Sequence, residues 1–193
     1  TIFGDSPYQP SSGCAGNIYF IDLDKLVDEG VLEKEEILGY NWGTDESEID
    51  YAALHQNRCK ILQKAFERFD TNAQDFQDFV KKQSEWLEQY ALFMTLKTDN
   101  LYKNWSEWPS EYRNPQTVAL EKYQKKNYNT IAFWKFCQYK FFEQWEDLKN
   151  YANSKGVYII GDISFYVGYD SVDVWAERQL FMMSANDTPE YVA

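Results

Sequence analysis

The sequence predicts an α/β chain that is predominantly α-helical and contains one clear buried strand, residues 157–163. Two observations carry this prediction. Apolar residues recur at spacings of three and four over most of residues 50–153, which is the period of a helix with one packed face. After Lys155 and Gly156 the pattern changes to the continuous apolar run VYII, typical of a strand buried on both faces. A helix, a glycine turn and a buried strand form half of a βαβ unit, whose functional residues gather at the carboxyl end of the strand.

The amino-terminal third begins as a loop and then becomes helical. The first 20 residues are rich in Ser, Gly and Pro and indicate an ordered loop, and a short helix near Leu23 to Glu29 is ended by Gly30. Ser47 and Asp50 flank the next helix start. That helix, of about 20 residues, carries a stripe at helical spacing: Leu54, Arg58, Ile61, Ala65 and Phe69.

Two further helical regions follow, and both are rich in aromatic residues. One covers Ala73 to Leu96, and the main helix of the other runs from about Asn129 to Asn153, after a cap at Asn114 and an opening Pro115. The aromatic side chains at helical spacing include Phe76, Phe79, Trp86, Tyr90, Phe93, Trp134, Phe141 and Trp145. So much aromatic surface implies that these helices are buried on more than one side.

Composition and charge exclude several classes of protein. With 193 residues and 44% hydrophobic content, the chain is long and apolar enough to form a core. A formal charge of −12 repels phosphate backbones and anionic headgroups, so neither nucleic acid nor membrane is expected as the main partner. The start TIFGDSPYQP has no signal-peptide pattern and no apolar run approaches the roughly 20 residues of a membrane span, so we expect a cytoplasmic chain.

The cysteines and the lone histidine predict neither a disulfide framework nor a metal centre. Cys14, Cys59 and Cys137 are widely spaced and form no C-x-x-C pair, so we interpret them as reduced core residues. His55 has no second histidine with which to share a metal or complete a triad.

Carboxylates and aromatic residues cluster directly after the predicted strand. They are Asp162, Tyr166, Tyr169, Asp170, Asp173 and Trp175. Acceptor groups beside aromatic rings suit sugar hydroxyls and stacking on sugar faces better than they suit phosphate. A structural interpretation stays open, because Ser171 or Asp170 could simply cap the helix indicated by SVDVWAE. A metal site formed by the three aspartates has no loop spacing that supports it.

Four segments, in order along the chain, resemble one enzyme family. They are SPYQPSSGCAGNIYFIDLDKL (6–26), NWSEWPSEYRN (104–114), FFEQWEDLKNYANSKGVYIIGDISFYVGYDSVDVWAE (141–177) and QLF (179–181). In this order they are similar to the 4-alpha-glucanotransferases, also called amylomaltases or disproportionating enzymes. The resemblance covers nearly the whole chain, and long ordered motifs are far more specific than a single short pattern.

The resemblance implies part of a TIM (β/α)₈ barrel interrupted by helical insertions. Such enzymes transfer α-1,4-glucan segments between maltooligosaccharides through a covalent glycosyl-enzyme, a retaining double displacement, with no metal or organic cofactor. On this basis residues 1–30 are expected to hold an active-site loop and the first barrel helix region. Residues 31–128 would form a helical insertion subdomain, and residues 129–193 a barrel helix, the strand and the following active-site loop.

Site residues follow from the same resemblance. Ser6 and Tyr8 would contact sugar, Tyr8 as a stacking platform, and Asp170 would hydrogen-bond the sugar next to the scissile bond. The residues expected to support these contacts are Asp5, Asp162, Ser171, Asp173 and Trp175. The family's catalytic carboxylates are expected outside this chain, which we interpret as an internal fragment of a longer enzyme. Departures from the family pattern at Cys14, Ser164, Gly168 and Val172 concern local packing.

Elementary chemistry agrees with this assignment of roles. Retaining glycoside chemistry needs two carboxylates about 5–5.5 Å apart, and no motif in this chain places such a pair. Asp162 and Asp170 come nearest, and we expect them to bind rather than attack. An incomplete barrel would also leave apolar faces uncovered, so the isolated chain is expected to self-associate.

Two other classes of function stay open at this point. A non-enzymatic helical interaction module would use Trp86, Tyr90, Trp134 and Trp145 as partner anchors. A stand-alone carbohydrate-binding module would use Trp105 and Trp108, although such modules are mostly β-sandwiches.

Overall fold

The chain divides into two compact units, each made from separate stretches of sequence. The first unit contains residues 1–15, 83–135 and 161–193, and the second unit contains residues 16–82 and 136–160. A computed structural model describes residues 8–45, 47–115, 117–162, 166–184 and 186–190.

Helices dominate the described part of the chain. The α-helices are α1 (Leu23–Asp28), α2 (Lys34–Leu38), α3 (Tyr51–Arg68), α4 (Gln74–Lys82), α5 (Ser84–Asp99), α6 (Val118–Lys126), α7 (Tyr128–Ser154) and α8 (Val172–Ala176). Short 3₁₀ helices cover Ile18–Phe20, Trp105–Glu107, Ser110–Tyr112 and Arg178–Leu180. The β-structure among the described residues is a single antiparallel bridge between Met183 and Pro189.

The core of the second unit lies between α3, α4 and the later turns of α7. Phe69 contributes to an aromatic cluster there, with its ring centroid 5.3 Å from that of Phe76, 4.9 Å from that of Phe136 and 5.9 Å from that of Tyr139. Fully or nearly fully buried side chains around it are Leu26, Ile61, Leu62, Ala65 and Cys137. Aromatic pairs at such distances add to the free energy gained from burial alone.

Polar side chains of α3 and α7 attach the loop before α1 to this core. The amide of Gln138 accepts from the Gly16 N–H at 2.8 Å and donates to the Gly16 carbonyl at 3.0 Å. Gln144 binds the backbone of Asp22 in the same reciprocal way, at 2.7 and 3.1 Å. The Arg58 guanidinium donates to the carbonyls of the same loop. Backbone groups that lack a helix or sheet partner are thereby satisfied.

The core of the first unit is built from tryptophans and the apolar side of α5. Phe93 has its ring centroid 5.3 Å from Trp108 and 5.7 Å from Trp175. Trp105, Trp108 and Trp175 are all fully buried. Each indole N–H donates to a backbone carbonyl, at 2.8 Å for Trp105, 3.1 Å for Trp108 and 3.0 Å for Trp175. Buried indoles are stable in a core when that donor has a partner.

Most predicted helices are confirmed, with shifted boundaries. Asp50 caps α3, and Gly30 follows α1 in the left-handed region with a φ of 76°. The predicted helical region from residue 73 to 96 is two helices, α4 and α5, which are separated at Gln83. The cap predicted at Asn114 is wrong, because Thr117 caps α6 by accepting from the Leu120 N–H.

The buried strand at 157–163 is not supported. Residues 157–162 carry no strand assignment, and residue 163 lies outside the described residues. The side chains of Val157, Tyr158 and Ile160 are 57%, 81% and 94% exposed. A strand exists through hydrogen bonds to a neighbouring strand, and the described part of the chain places none beside this segment. The apolar run is present, but the residues that the structure describes include no strand that would bury it.

Cysteine burial differs from the prediction at two of three positions. Cys137 is buried, whereas Cys59 is half-buried and Cys14 is exposed, and all three are free thiols. Within the described ranges, no helix is both long and apolar enough to cross a membrane.

Candidate functional site

The segment Gly168–Trp175 of the first unit holds half of the residues that the sequence singles out. Ser171 caps α8 by accepting from the Val174 N–H at 3.3 Å, so the capping interpretation is confirmed for Ser171 and not for Asp170. Trp175 anchors the same short helix by donating its indole N–H to the Tyr112 carbonyl at 3.0 Å. A cap and a buried indole therefore fix the backbone on which Asp170 lies.

Asp170 is buried and both of its carboxylate oxygens are engaged. One oxygen, Oδ2, forms an ion pair with the Lys97 ammonium, whose side chain is fully buried. The other, Oδ1, accepts from the Trp105 N–H at 3.1 Å. The Trp105 indole donates to the carbonyl of the preceding Tyr169 at 2.8 Å. Since a carboxylate has about four lone-pair sites, each oxygen keeps one for a further donor.

Burial sets the electrostatics of this ion pair. Loss of hydration raises the pKa of the Asp170 carboxyl above its ordinary value, while Lys97 and the Trp105 N–H act in the opposite direction. Burial likewise lowers the pKa of the Lys97 ammonium, against the attraction of Asp170. The charge of each partner therefore opposes the effect of burial on the pKa of the other.

The loop that contains Tyr8 lies against this segment. The Val172 N–H donates to the Ser11 carbonyl at 2.9 Å, and the Gly13 N–H donates to the Asp173 carboxylate at 2.9 Å. A Cβ atom on Gly168 would lie 3.7 Å from the Pro10 carbonyl, in ordinary contact. The structure thus brings residues 10–13 next to residues 168–173, two regions far apart in sequence. Tyr8, two residues before Pro10, is 63% exposed.

Not every predicted residue joins this arrangement. Asp5 and Ser6 lie outside the described residues, and so does Ser164. Asp162 is exposed, and Tyr166 is 68% exposed. Asp173 is half-buried, and its negative charge adds to the effect of burial in raising the pKa of the neighbouring Cys14 thiol.

Two cations that lie near Asp170 and Trp105, namely Lys97 and Arg178, are not identified by the sequence analysis. Lys97 ends the run ALFMTLK, and a lone charge in such an apolar stretch is the signal that could have identified it, because a buried lysine is almost always paired. Arg178 stacks over Trp105 with its guanidinium carbon 4.4 Å from the ring centroid and pairs with Asp187 at 2.6 Å. Its guanidinium also donates to the Arg113 carbonyl, and no sequence spacing indicates these three partners.

The groups gathered here are hydrogen-bond acceptors and one exposed aromatic ring. Carboxylates held by donors accept further hydrogen bonds, and an exposed tyrosine offers an apolar face. Among the residues that the structure describes, no cluster of three or more His, Cys, Asp or Glu side chains is arranged to hold a metal ion. Trp105 and Trp108 are fully buried and offer no stacking surface. Tyr90 and Trp134, two of the proposed partner anchors, are also core residues.

Comparison with known proteins gives one consistent result. Residues 1–188 match the family described as 4-alpha-glucanotransferase, glycoside hydrolase family 77. A 4-alpha-glucanotransferase of Streptococcus pneumoniae is 41% identical over 198 residues, which cover 100% of this chain and 39% of the relative. One from Clostridium butyricum is 38% identical over 185 residues, covering 95% of this chain and 38% of that protein.

A solved structure gives the same result for the fold. The amylomaltase from Streptococcus agalactiae in complex with acarbose superposes with a TM-score of 0.92 at 36% identity, over 99% of this chain and 39% of that one. The chain therefore spans about two fifths of the length of the relatives it matches.

Proposed function

Because the chain belongs to the 4-alpha-glucanotransferase family, we propose that it is part of an enzyme that transfers α-1,4-glucan segments between maltooligosaccharides. The observation that carries the proposal is the match of residues 1–188 to that family. The proposed reaction is a retaining double displacement, in which one carboxylate attacks the sugar and another donates a proton.

The role proposed for this chain is substrate binding. Tyr8 stacks against a sugar ring, Ser6 also contacts sugar, and Asp170 accepts a hydrogen bond from the sugar next to the scissile bond. The contact of residues 10–13 with residues 168–173 supports this role, because it brings the two sugar-binding regions to one place. Asp5, Asp162 and the group formed by Ser171, Asp173 and Trp175 support these contacts.

The catalytic carboxylates are proposed to lie in the part of the enzyme outside these 193 residues. That part is large, since the chain spans only 39% of the Streptococcus pneumoniae relative. The same part of the enzyme also supplies the remainder of the TIM barrel, which covers the apolar side chains of residues 157–160. The three-part division at residues 30 and 128 and a cytoplasmic location stay predictions.

The test is disproportionation of maltotriose by the complete enzyme, followed as released glucose. Asp170→Asn is expected to lower kcat/KM by ~10²-fold, because a hydrogen bond near the reacting centre strengthens in the oxocarbenium-like transition state. Tyr8→Ala should lower it by about 10-fold through lost stacking. Tyr128→Ala is the matched control, since Tyr128 is exposed to a similar extent, 67% against 63%.

The isolated chain is expected to release no glucose from maltotriose, because binding residues do not replace a missing nucleophile. Turnover by the isolated chain that Asp162→Asn or Asp170→Asn abolishes would overturn this division of roles. Absence of turnover by the complete enzyme would overturn the proposed function itself.

A further inference from the structure

Lys97 is a fully buried cation in the last turn of α5, next to the apolar core of the first unit. Its ammonium donates to three acceptors. These are the Asp170 carboxylate, the Lys103 carbonyl at 2.9 Å and, at a longer 3.5 Å, the Tyr102 carbonyl. All three protons of the ammonium therefore have a protein partner, which is what a charge without water requires.

The backbone adopts an unfavourable conformation to supply those carbonyls. Leu101 and Tyr102 have φ values of 54° and 58°, in the left-handed region that residues other than glycine enter at a steric cost. The turn lets the chain leave α5 and return over its end, so that the carbonyls of residues 102 and 103 face the ammonium. Strain of this kind persists where a particular geometry is needed.

The same turn leads into the second contact with Asp170. Trp105 begins the 3₁₀ helix Trp105–Glu107, and its N–H donates to Oδ1 of Asp170 at 3.1 Å. Lys97 and Trp105 thus hold one oxygen each, while the Trp105 indole holds the Tyr169 carbonyl. Position and rotation of the carboxylate are both determined by residues 97–105.

Stability alone is a weak reason for this arrangement. A buried ion pair contributes little net stability, because desolvation of the two charges offsets their attraction, and an apolar pair of similar volume is often as stable. The strained turn adds a further cost. What the arrangement does provide is a carboxylate whose two oxygens are each held by a donor, next to the loop of residues 10–13.

We propose that Lys97 is a positioning residue, which orients the Asp170 carboxylate toward the sugar next to the scissile bond. The inference depends on the proposed function and adds to it a residue for which sequence gave no role. Lys97 touches no substrate and acts through Asp170. Outside the pair itself, the charged residue that acts on both partners is Glu107, on the 3₁₀ helix Trp105–Glu107.

Removal of Lys97 has a defined consequence for pH dependence. Lys97 and the Trp105 N–H lower the pKa of Asp170, whereas burial and Glu107 raise it. Without the ammonium, only the Trp105 N–H opposes the effects that raise the pKa of Asp170. The carboxylate therefore becomes protonated at a higher pH than in the wild type. Activity that needs the ionised form of Asp170 is then lost earlier on acidification.

The experiment measures kcat/KM for maltotriose against pH in the complete enzyme and its variants. Lys97→Met, which keeps length without charge, is expected to lose ~10²-fold in kcat/KM through misplacement of Asp170. The acid limb of its pH profile, where kcat/KM falls as the pH decreases, should move to higher pH. Combined with Asp170→Asn, it should cost little more than Asp170→Asn alone, because both changes remove one coupled interaction. Lys122→Met, an exposed position on α6, is the control.

The outcomes separate the two proposals. The inference is overturned if Lys97→Met lowers the melting temperature but leaves kcat/KM and its acid limb unchanged. It is also overturned if the fold-loss in kcat/KM of the double variant equals the product of the losses of the two single variants. If Lys97→Met does not fold, Lys97→Arg replaces it: lowered kcat/KM with the acid limb at its wild-type pH supports the inference, and unchanged kcat/KM overturns it. A complete wild-type enzyme without turnover removes the proposed function, and this inference with it.

Discussion

Single polar residues hold the loops of this protein to its helices. Gln138 and Gln144 each bind the backbone of a residue 122 positions earlier, through both atoms of the amide. Arg68 holds the start of α2 through Glu36, with N–O distances of 2.6 and 3.0 Å. Such contacts determine where an irregular segment lies, because helices by themselves do not orient the loops between them.

The Glu36 carboxylate makes stability depend on pH. Its pairing with Arg68 and its backbone hydrogen bond at Glu33 lower the pKa to about 2, from an ordinary value of 4.5. A depressed pKa gives stability that is complete above about pH 4.5 and disappears as the pH falls through about 2. We expect Glu36→Gln to lower the free energy of unfolding by about 1 kcal/mol at pH 7, after allowance for solvent screening.

Urea denaturation at pH 7 and at pH 2.5 measures this effect, and the difference between wild type and Glu36→Gln should shrink at the lower pH. Glu35→Gln, the exposed neighbour on α2, should stay within about 0.5 kcal/mol of wild type. A destabilisation by Glu36→Gln that is equal at both pH values would contradict the ion-pair explanation.

Gly16 is a position where a single methyl group has a large effect. A Cβ atom there would overlap the ring of Phe141, which packs directly on the backbone of the loop. Gly16→Ala must displace the ring or the loop, and we expect it to destabilise the chain by about 1–3 kcal/mol, the range for overpacking. Thermal unfolding checks this, with Gly161→Ala as control because a Cβ there meets nothing within 4 Å. Equal melting temperatures for the two variants would refute the contact.

At the scale of elements, sequence periodicity identifies helices because they depend on residues close in sequence. The positions of α3, α5 and α7 follow from repeated apolar spacing, and Asp50 and Ser171 follow from the chemistry of caps. The segment after Gly156 could not be judged in this way, since strand formation depends on a partner elsewhere in the protein. The partner of Lys97 cannot be predicted for a similar reason, because it lies 73 residues away in sequence.

The turn after α5 offers a direct test of backbone strain. Leu101 has a φ of 54° and its side chain is 80% exposed, so it makes little packing contribution. Glycine adopts this conformation without steric cost, and its greater freedom in the unfolded chain offsets part of the gain. We expect Leu101→Gly to raise the free energy of unfolding by about 0.5–1 kcal/mol.

Chemical denaturation compares this variant with Leu180→Gly, which removes another exposed leucine, 74% exposed, outside the left-handed region. The control should be neutral or destabilising. If both glycine variants lose stability equally, the conformation of the turn carries no strain.

At the scale of the whole molecule, the second unit leaves part of its apolar surface exposed to solvent. A groove of about 810 Å³ in the second unit is lined by Phe20, Phe141, Trp145, Leu148 and Tyr151 together with Asp22, Lys25, Gln144 and Asp147. Residues 157–160 are exposed in the same unit. Contiguous apolar surface of this kind is unusual on a monomeric protein and promotes association.

The isolated chain is therefore expected to form dimers or larger species at high concentration. Ile160, 94% exposed, is the most accessible of these side chains, and Ile160→Asp should shift the distribution toward monomer. Sedimentation velocity over a range of concentrations measures this. Leu101→Asp adds the same charge at an exposed leucine of the first unit and should leave association unchanged. A wild-type chain that stays monomeric throughout would contradict the prediction.

The ion pair between Lys97 and Asp170 also imposes an order on biosynthesis. At 5–20 residues per second, the 73 residues added after Lys97 up to and including Asp170 take roughly 4–15 s to translate. During that time α5 has been synthesised but lacks the carboxylate that pairs with its lysine and lacks Trp175, which packs on Phe93. The second unit, whose last segment ends at residue 160, has all of its residues available earlier. Nascent chains stalled between residues 100 and 170 are thus the species for which we expect the strongest chaperone binding.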